Sequence, residues 1–165
     1  RRLVSKTTTG RNTMRLGVIA AGVAAVMIAG SAMAHEGVEA RQKLMKSIVG
    51  NVKAIGAVVK GQSTESMADV ARRAGEIKMD ADNMGGVFGD QVYVENANGV
   101  RTTAAPAIWT NWSDFFKLGQ DMEAAAATLQ VTAAGGDMDA VKAAFGAMTK
   151  TCGACHKPYR IKKKK

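Results

Sequence analysis

Both cysteines of this chain fall in one five-residue stretch near its C-terminal end, Cys152-Gly153-Ala154-Cys155-His156, and no other feature restricts the fold as much. C-x-x-C-H is the attachment signature of c-type haem, in which two thiols add across the haem vinyl groups and the histidine coordinates iron. On a helix these three side chains stand at i, i+3 and i+4, so all project from one face, as a flat macrocycle requires. A disulfide, a structural metal site and a redox dithiol are the competing readings. Zinc would want four ligands, and only one further His exists to help complete a closed site. A thioredoxin-like C-x-x-C follows a strand at the start of a helix. This one lies within a helical pattern with little chain after it, so covalent haem is the favoured reading.

The N-terminal part reads as a targeting segment. Met14-Arg15 gives a short basic start, Leu16 to Gly30 is uncharged and mostly apolar, and Ser31-Ala32-Met33-Ala34 supplies a small-x-small cleavage pattern. The apolar run is shorter than the roughly 20 residues of a spanning helix, which argues against a membrane anchor. Cleavage is expected after Ala34, so that residues 1–34 are a signal peptide, with 1–13 a possible upstream extension, and 35–165 form the mature domain. Export to the periplasm suits the haem reading, because unmodified thiols there would tend to oxidise to each other.

The formal charge of +9 misleads about the surface. Five cations and no acids lie in residues 1–34, leaving 18 Lys and Arg against 14 Asp and Glu in the mature part. Six of those 18 crowd into Lys157 to Lys165, a basic tail without interleaved aromatics. Nucleic-acid binding is therefore not supported. The tail reads first as a solvated end, with docking to an acidic redox partner as the other reading.

Helical periodicity divides the mature part into four stretches. The first runs from about Val38 to Lys60 with Val38, Met45, Ile48, Val52, Ile55 and Val59 on one stripe, and stops at Gly61. The second starts near Ser63-Thr64-Glu65, carries Met67, Val70, Ala71, Ala74, Ile77 and Ala81, and ends before Gly85-Gly86. A connection of about twenty residues follows, with Val92-Tyr93-Val94 a candidate for extended chain and Asn96-Ala97-Asn98-Gly99 for a turn. A loop that long is often functional. Pro106 opens the third helix, which runs to about Ala133 with Ile108, Trp109, Trp112, Phe115, Phe116, Met122 and Leu129 on its stripe, the four aromatics read as core, and breaks at Gly135-Gly136. Asp137 caps the fourth, which carries Met138, Val141, Phe145, Met148, both cysteines and Tyr159. Four amphipathic helices predict an all-α fold, an antiparallel four-helix bundle with one covalently bound haem among its helices.

A C-terminal C-x-x-C-H on the fourth helix of an exported bundle resembles the class II cytochromes c, the cytochrome c′ family. The likeness is strongest from Ala143-Ala144-Phe145 through Cys152-Gly153-Ala154-Cys155-His156 to Arg160, with support from Pro106-Ala107-Ile108-Trp109 and Val58-Val59-Lys60-Gly61. The resemblance implies Cys152 and Cys155 as thioether sites of haem c and His156 as proximal ligand. It implies that the first helix faces the other side of the haem, where Arg41-Gln42-Lys43-Leu44-Met45 is similar to the branch in which methionine is the sixth ligand. It also places Arg41 near a haem propionate, and puts a basic residue at the position of Arg160.

From periodicity alone Met45 reads as packing, methionine's ordinary role in a core; the role of ligand comes from the resemblance. His35 is a poor ligand, being the first residue of the mature chain. With His156 and Met45 both on iron, the expected function is one-electron transfer between periplasmic donor and acceptor proteins. The alternative is nitric oxide or carbon monoxide binding at an open distal face. Peroxidase-like catalysis would want a distal acid or base, and the first helix carries no histidine, so the chain is not expected to be an enzyme. A homodimer through the first two helices is possible, since Gly50, Ala54, Gly56 and Ala57 permit close approach. Mass spectrometry of exported protein is expected to find a chain beginning at His35; an intact 14–34 segment would overturn the cleavage assignment.

Overall fold

Apolar residues at helical spacing do form helices, in a computed structural model that describes residues 19–89, 96–97 and 100–162, with side chains over 37–89 and 102–162. In chain order these are α1 (Ile19–Val59), α2 (Met67–Asp82), the short α3 (Met84–Phe88), a two-strand hairpin of β1 (Asn96–Ala97) and β2 (Val100–Arg101), α4 (Ala107–Thr110), α5 (Trp112–Ala134) and α6 (Met138–Tyr159). The four long helices α1, α2, α5 and α6 make a bundle in which chain neighbours pack together and α6 closes back on α1. Among the described residues no helix is long and apolar enough to cross a membrane.

Local chemistry fixes most helix ends. Gly61 (φ +68°) and Gly136 (φ +79°) sit in the left-handed region after α1 and α5, where a Cβ would clash with the following backbone. Asp137 caps α6 as expected, its carboxylate accepting from the amides of Asp139 and Ala140. The cap of α2 is Ser66, three residues beyond the expected start. Its hydroxyl accepts from the Asp69 amide, while the Asp69 carboxylate accepts from the Ser66 amide. An aspartate completes this reciprocal box in place of the usual glutamate.

Three further expectations are corrected. The backbone of α1 is helical from Ile19 rather than from about Val38, because the Ala-rich stretch before it has nothing to stop a helix. Gly85 and Gly86 do not break the chain but lie inside α3; Gly85 lets the Phe116 ring approach to within 2.9 Å of where a Cβ would stand. The third helix is split at Asn111 (φ −123°, ψ 45°), which separates α4 from α5. Val92-Tyr93-Val94 lies outside the described residues.

The core runs the length of the bundle, through Ile55, Val70, Ile77, Leu129 and Val141, all fully buried. Leu44 and Val58 are also buried, so the bundle-facing stripe of α1 is rotated from the expected one, and Met45 and Val52 stand half-buried beside it. Phe116 is 41% exposed rather than core, stacked on Trp112 at 6.1 Å. At one end α1 and α6 touch, with the Phe145 ring 3.5 Å from a Cβ position on Gly56. Replacing Gly61 with Ala should lower unfolding free energy by about 1 kcal/mol, whereas Gly146→Ala, in mid-helix with open space at its Cβ position, should raise it by up to about 1 kcal/mol. Urea titration of the two variants checks both signs.

Candidate functional site

Toward the other end of the bundle α1 and α6 part, and a cavity of about 480 Å³ lies between them. That is within the roughly 300–1,000 Å³ of ordinary cofactor pockets. Met45, Arg41 and Val52 face it from α1, and Cys152, Cys155 and His156 face it from α6. Met84, Phe88, Phe115 and Leu118 form an apolar floor, and Thr102, Thr103 and Ala104 cover one edge. Every candidate named from the sequence thus borders a single space. Among the described residues no Asp or Glu lines it.

The thiols are half-buried and free. Burial among apolar groups pushes Cys155 up to about 11, with the nearby charges of Cys152 and Asp114 adding to it, and burial raises Cys152 as well. A redox dithiol or a thiolate metal site needs the opposite shift. Among the described residues no group of three His, Cys, Asp or Glu side chains is arranged to hold a metal. These facts weigh against the dithiol and zinc readings. His156 stands exposed at the rim, and partial burial, followed by the charge of Arg160, lowers its pKa. Both effects favour the neutral imidazole, the form that donates a lone pair to iron.

Arg41 is buried, 5% exposed, with its guanidinium 5.4 Å from the Trp109 ring centroid and 5.7 Å from that of Phe88. Both distances are within cation–π range. The Trp109 indole donates to the Phe88 carbonyl at 2.9 Å, which ties α4 to α3 and holds the two rings together. A charged side chain is thus held rigidly in an apolar wall, where it would attract a carboxylate.

What supports the α6 end leaves no mark in the local pattern of residues. Residues beyond Tyr159 pair with the chain before α4: Ala105 N–H donates to the Tyr159 carbonyl at 3.0 Å, Ile161 N–H donates to Thr103 at 2.8 Å, and Ala104 bridges Arg160. Pairing of this sort depends on residues nearly sixty positions apart and leaves no periodic trace. Tyr159 itself is buried, lies edge-on to Phe115 at 5.4 Å, and donates to the Asp114 carboxylate at 2.6 Å. Tyr159 was foreseen on the α6 stripe, but its carboxylate partner was not. Met84, almost fully buried in the floor, was also missed, since it falls past Ala81, the last residue of the second helix's stripe, and just before the connection that starts at Gly85.

Residues 36–160 match the family described as Cytochrome C′. The chain is 35% identical over 150 residues to cytochrome c-556 of Agrobacterium fabrum, covering 88% of this chain and 95% of that protein. Among solved structures it resembles cytochrome c′ from Thermochromatium tepidum, with a TM-score of 0.71 and 31% identity over 78% of this chain and 97% of that one. It also resembles a nitric oxide complex of a cytochrome c prime variant from Alcaligenes xylosoxidans, with a TM-score of 0.67 and 27% identity over 79% and 97% of the two chains.

The Tyr159–Asp114 bond makes a pH prediction. Burial, then Asp114, raises the Tyr159 pKa from 10 to about 12. The folded state therefore holds the phenolic proton more tightly than the unfolded one, and stability falls as pH rises from 10 through about 12. Tyr159→Phe should be less stable at neutral pH, by about 1–3 kcal/mol for a bond to a charged acceptor. It should also lose less stability than the parent between pH 10 and 12, as chemical denaturation at a series of pH values would show.

Proposed function

We propose that this chain, which belongs to the cytochrome c′ family, carries single electrons in the periplasm through a haem c held between His156 and Met45. The reading rests on one observation: Met45 on α1 and Cys152, Cys155 and His156 on α6 border the same cavity from facing helices. The residues fit the group, since the cavity is apolar, is of cofactor size, and offers protonated thiols, a neutral imidazole and a buried guanidinium.

Cys152 and Cys155 would hold the haem by thioether bonds, His156 and Met45 would ligate its iron, and Arg41 would pair with one of its carboxylates. When bound, the haem supplies a centre that gains and loses one electron. Met45 as a thioether ligand favours the ferrous state and raises the potential. Met45 and His156 together leave no position for an outside ligand. The apolar floor of Met84, Phe88 and Phe115 excludes water, which keeps the surroundings alike in both oxidation states. No distal acid or base stands on the described α1 wall to assist peroxide chemistry.

Binding of nitric oxide or carbon monoxide is the second reading. It is favoured by the nitric oxide complex among the similar solved structures, and by a distal wall in which Val49 and Val52 flank Met45. The two readings differ only in whether Met45 occupies the iron. Ferric protein is expected to be low-spin with a methionine–iron charge-transfer band, and the reduced protein to take up little carbon monoxide. Met45→Ala should give a high-spin spectrum with rapid uptake; an unchanged spectrum would eliminate Met45 as ligand.

A further inference from the structure

The charges of this bundle are sorted by helix. From Arg41 to Lys60, α1 carries cations and no acid, and α6 does the same from Lys142 through Arg160. Glu36 and Glu39 precede that stretch on α1 and Asp139 opens α6, but most acids of the described part lie on α5 or on and just before α2, and most of these are neutralised where they stand. Glu65 pairs with Arg73, Glu76 with Arg72, Glu123 with Lys78 and Asp121 with Lys117. Among the described residues no ion pair forms at Lys46, Lys53, Lys150 or Lys157, and all four are exposed. A body with nearly balanced charge therefore presents one positive face.

That face surrounds the cavity mouth. Lys46 and Arg160 line the opening from its two helices. The contact of Gly56 with Phe145 sets the antiparallel register, so Lys53 and Lys150 stand across the α1–α6 seam from each other, and Lys46 and Lys157 do so one step nearer the opening. Val49, 46% exposed, lies between Lys46 and Lys53 on the same flank. Small apolar centres within a ring of like charge suit brief docking, where charge speeds encounter and little area is buried.

We propose that this α1–α6 face, with Lys46, Lys53, Lys150 and Lys157 at its corners, is the docking surface for an acidic redox protein. The proposal rests on the electron-carrier reading and adds to it the direction from which the partner approaches. An anionic membrane surface is the rival occupant. Among the described residues the face lacks the exposed aromatic anchors that a membrane-surface site uses: Trp112 and Phe116 lie on α5.

The test uses the reduced holoprotein and plastocyanin, an acidic copper protein, as probe; one electron leaves the ferrous haem and reduces Cu(II) to Cu(I). The second-order rate constant should fall as salt is added. Lys53→Glu combined with Lys150→Glu should cut it about tenfold or more at low ionic strength and flatten the salt dependence. Asp82→Lys combined with Asp121→Lys, on the opposite side, should leave it within about twofold. Ferric spectra should be the same in all three proteins, showing that the site is intact. Equal effects of the two double variants, or no effect of either, would overturn the proposal. So would binding to phosphatidylglycerol vesicles at physiological salt that Lys53→Glu and Lys150→Glu abolish while the plastocyanin rate is unchanged. A parent protein that exchanges no electrons with plastocyanin or with hexacyanoferrate(III) removes the carrier reading, and this one with it. Exchange with hexacyanoferrate(III) alone removes only the docking surface.

Discussion

The separation of α1 from α6 is the constraint on which the rest of this structure depends. Cys152, Cys155 and His156 face the cavity from α6, so the helix opposite stands back from them while the bundle remains closed. The chain meets both demands by tilting the pair. Phe145 against Gly56 brings the helices into contact at one end, where a glycine leaves room for a ring. From there they diverge until the cavity separates Met45 from Cys152 and His156. Small residues in α1 act within the subunit at this point. Gly56 is buried by Phe145, which accounts for at least one of the positions that close approach of a second copy would otherwise explain.

A cavity held open in a small bundle needs walls that do not collapse inward, since interiors otherwise pack to high density. Directional bonds supply the stiffness here. Tyr159 donates to Asp114, and Trp109 donates to the Phe88 carbonyl, each linking two elements across the cavity's edge. The short pairing of residues 103–105 with 159–161 ties the end of α6 to the segment entering α4. Together these fix the final turn of α6, where His156 sits, from two sides. That matters because Pro158 lies in the same turn and leaves the helix one backbone donor short.

Four helices, two glycine stops, the Asp137 cap and the C-x-x-C-H face were legible in the sequence because each depends on neighbours within one or two turns. The bundle followed from them. What was not legible depends on residues far apart. Asn111 breaks the third helix because the α3–α4 contact through Trp109 and Phe88 turns the chain there, and no local stop signal marks it. Gly85 and Gly86 look like a break, yet Gly85 serves as the surface that receives Phe116. The stripe on α1 was misplaced because residues facing a cofactor space and residues facing the core are both apolar; Met45 and Val52 differ from Leu44 and Ile48 only in what lies opposite. The side chains singled out in the sequence do border one cavity. Its residues carry unusual chemistry, whereas its supports, Asp114 and Met84, are ordinary residues in unusual places.

The angular economy of α1 shows how one helix serves three surroundings. Leu44, Ile48 and Ile55 face the core. About 60–100° further round, Met45 and Val52 face the cavity, and beyond them Lys46 and Lys53 face water. Adjacent residues on a helix differ by about 100°, so Leu44, Met45 and Lys46 are consecutive letters with separate tasks. The choice of cation follows the same division. Arginine stands inside, at Arg41, where a planar, weakly hydrated guanidinium can lie against Trp109 and Phe88. Lysine, compact and strongly hydrated, stands outside, where charge acts through solvent. A single inserted residue between 41 and 53 would turn the later part of all three faces by one step. It would bring residues of the core face toward the cavity and those of the cavity face toward water, so the spacing within this segment is as much a part of the site as any residue that lines it.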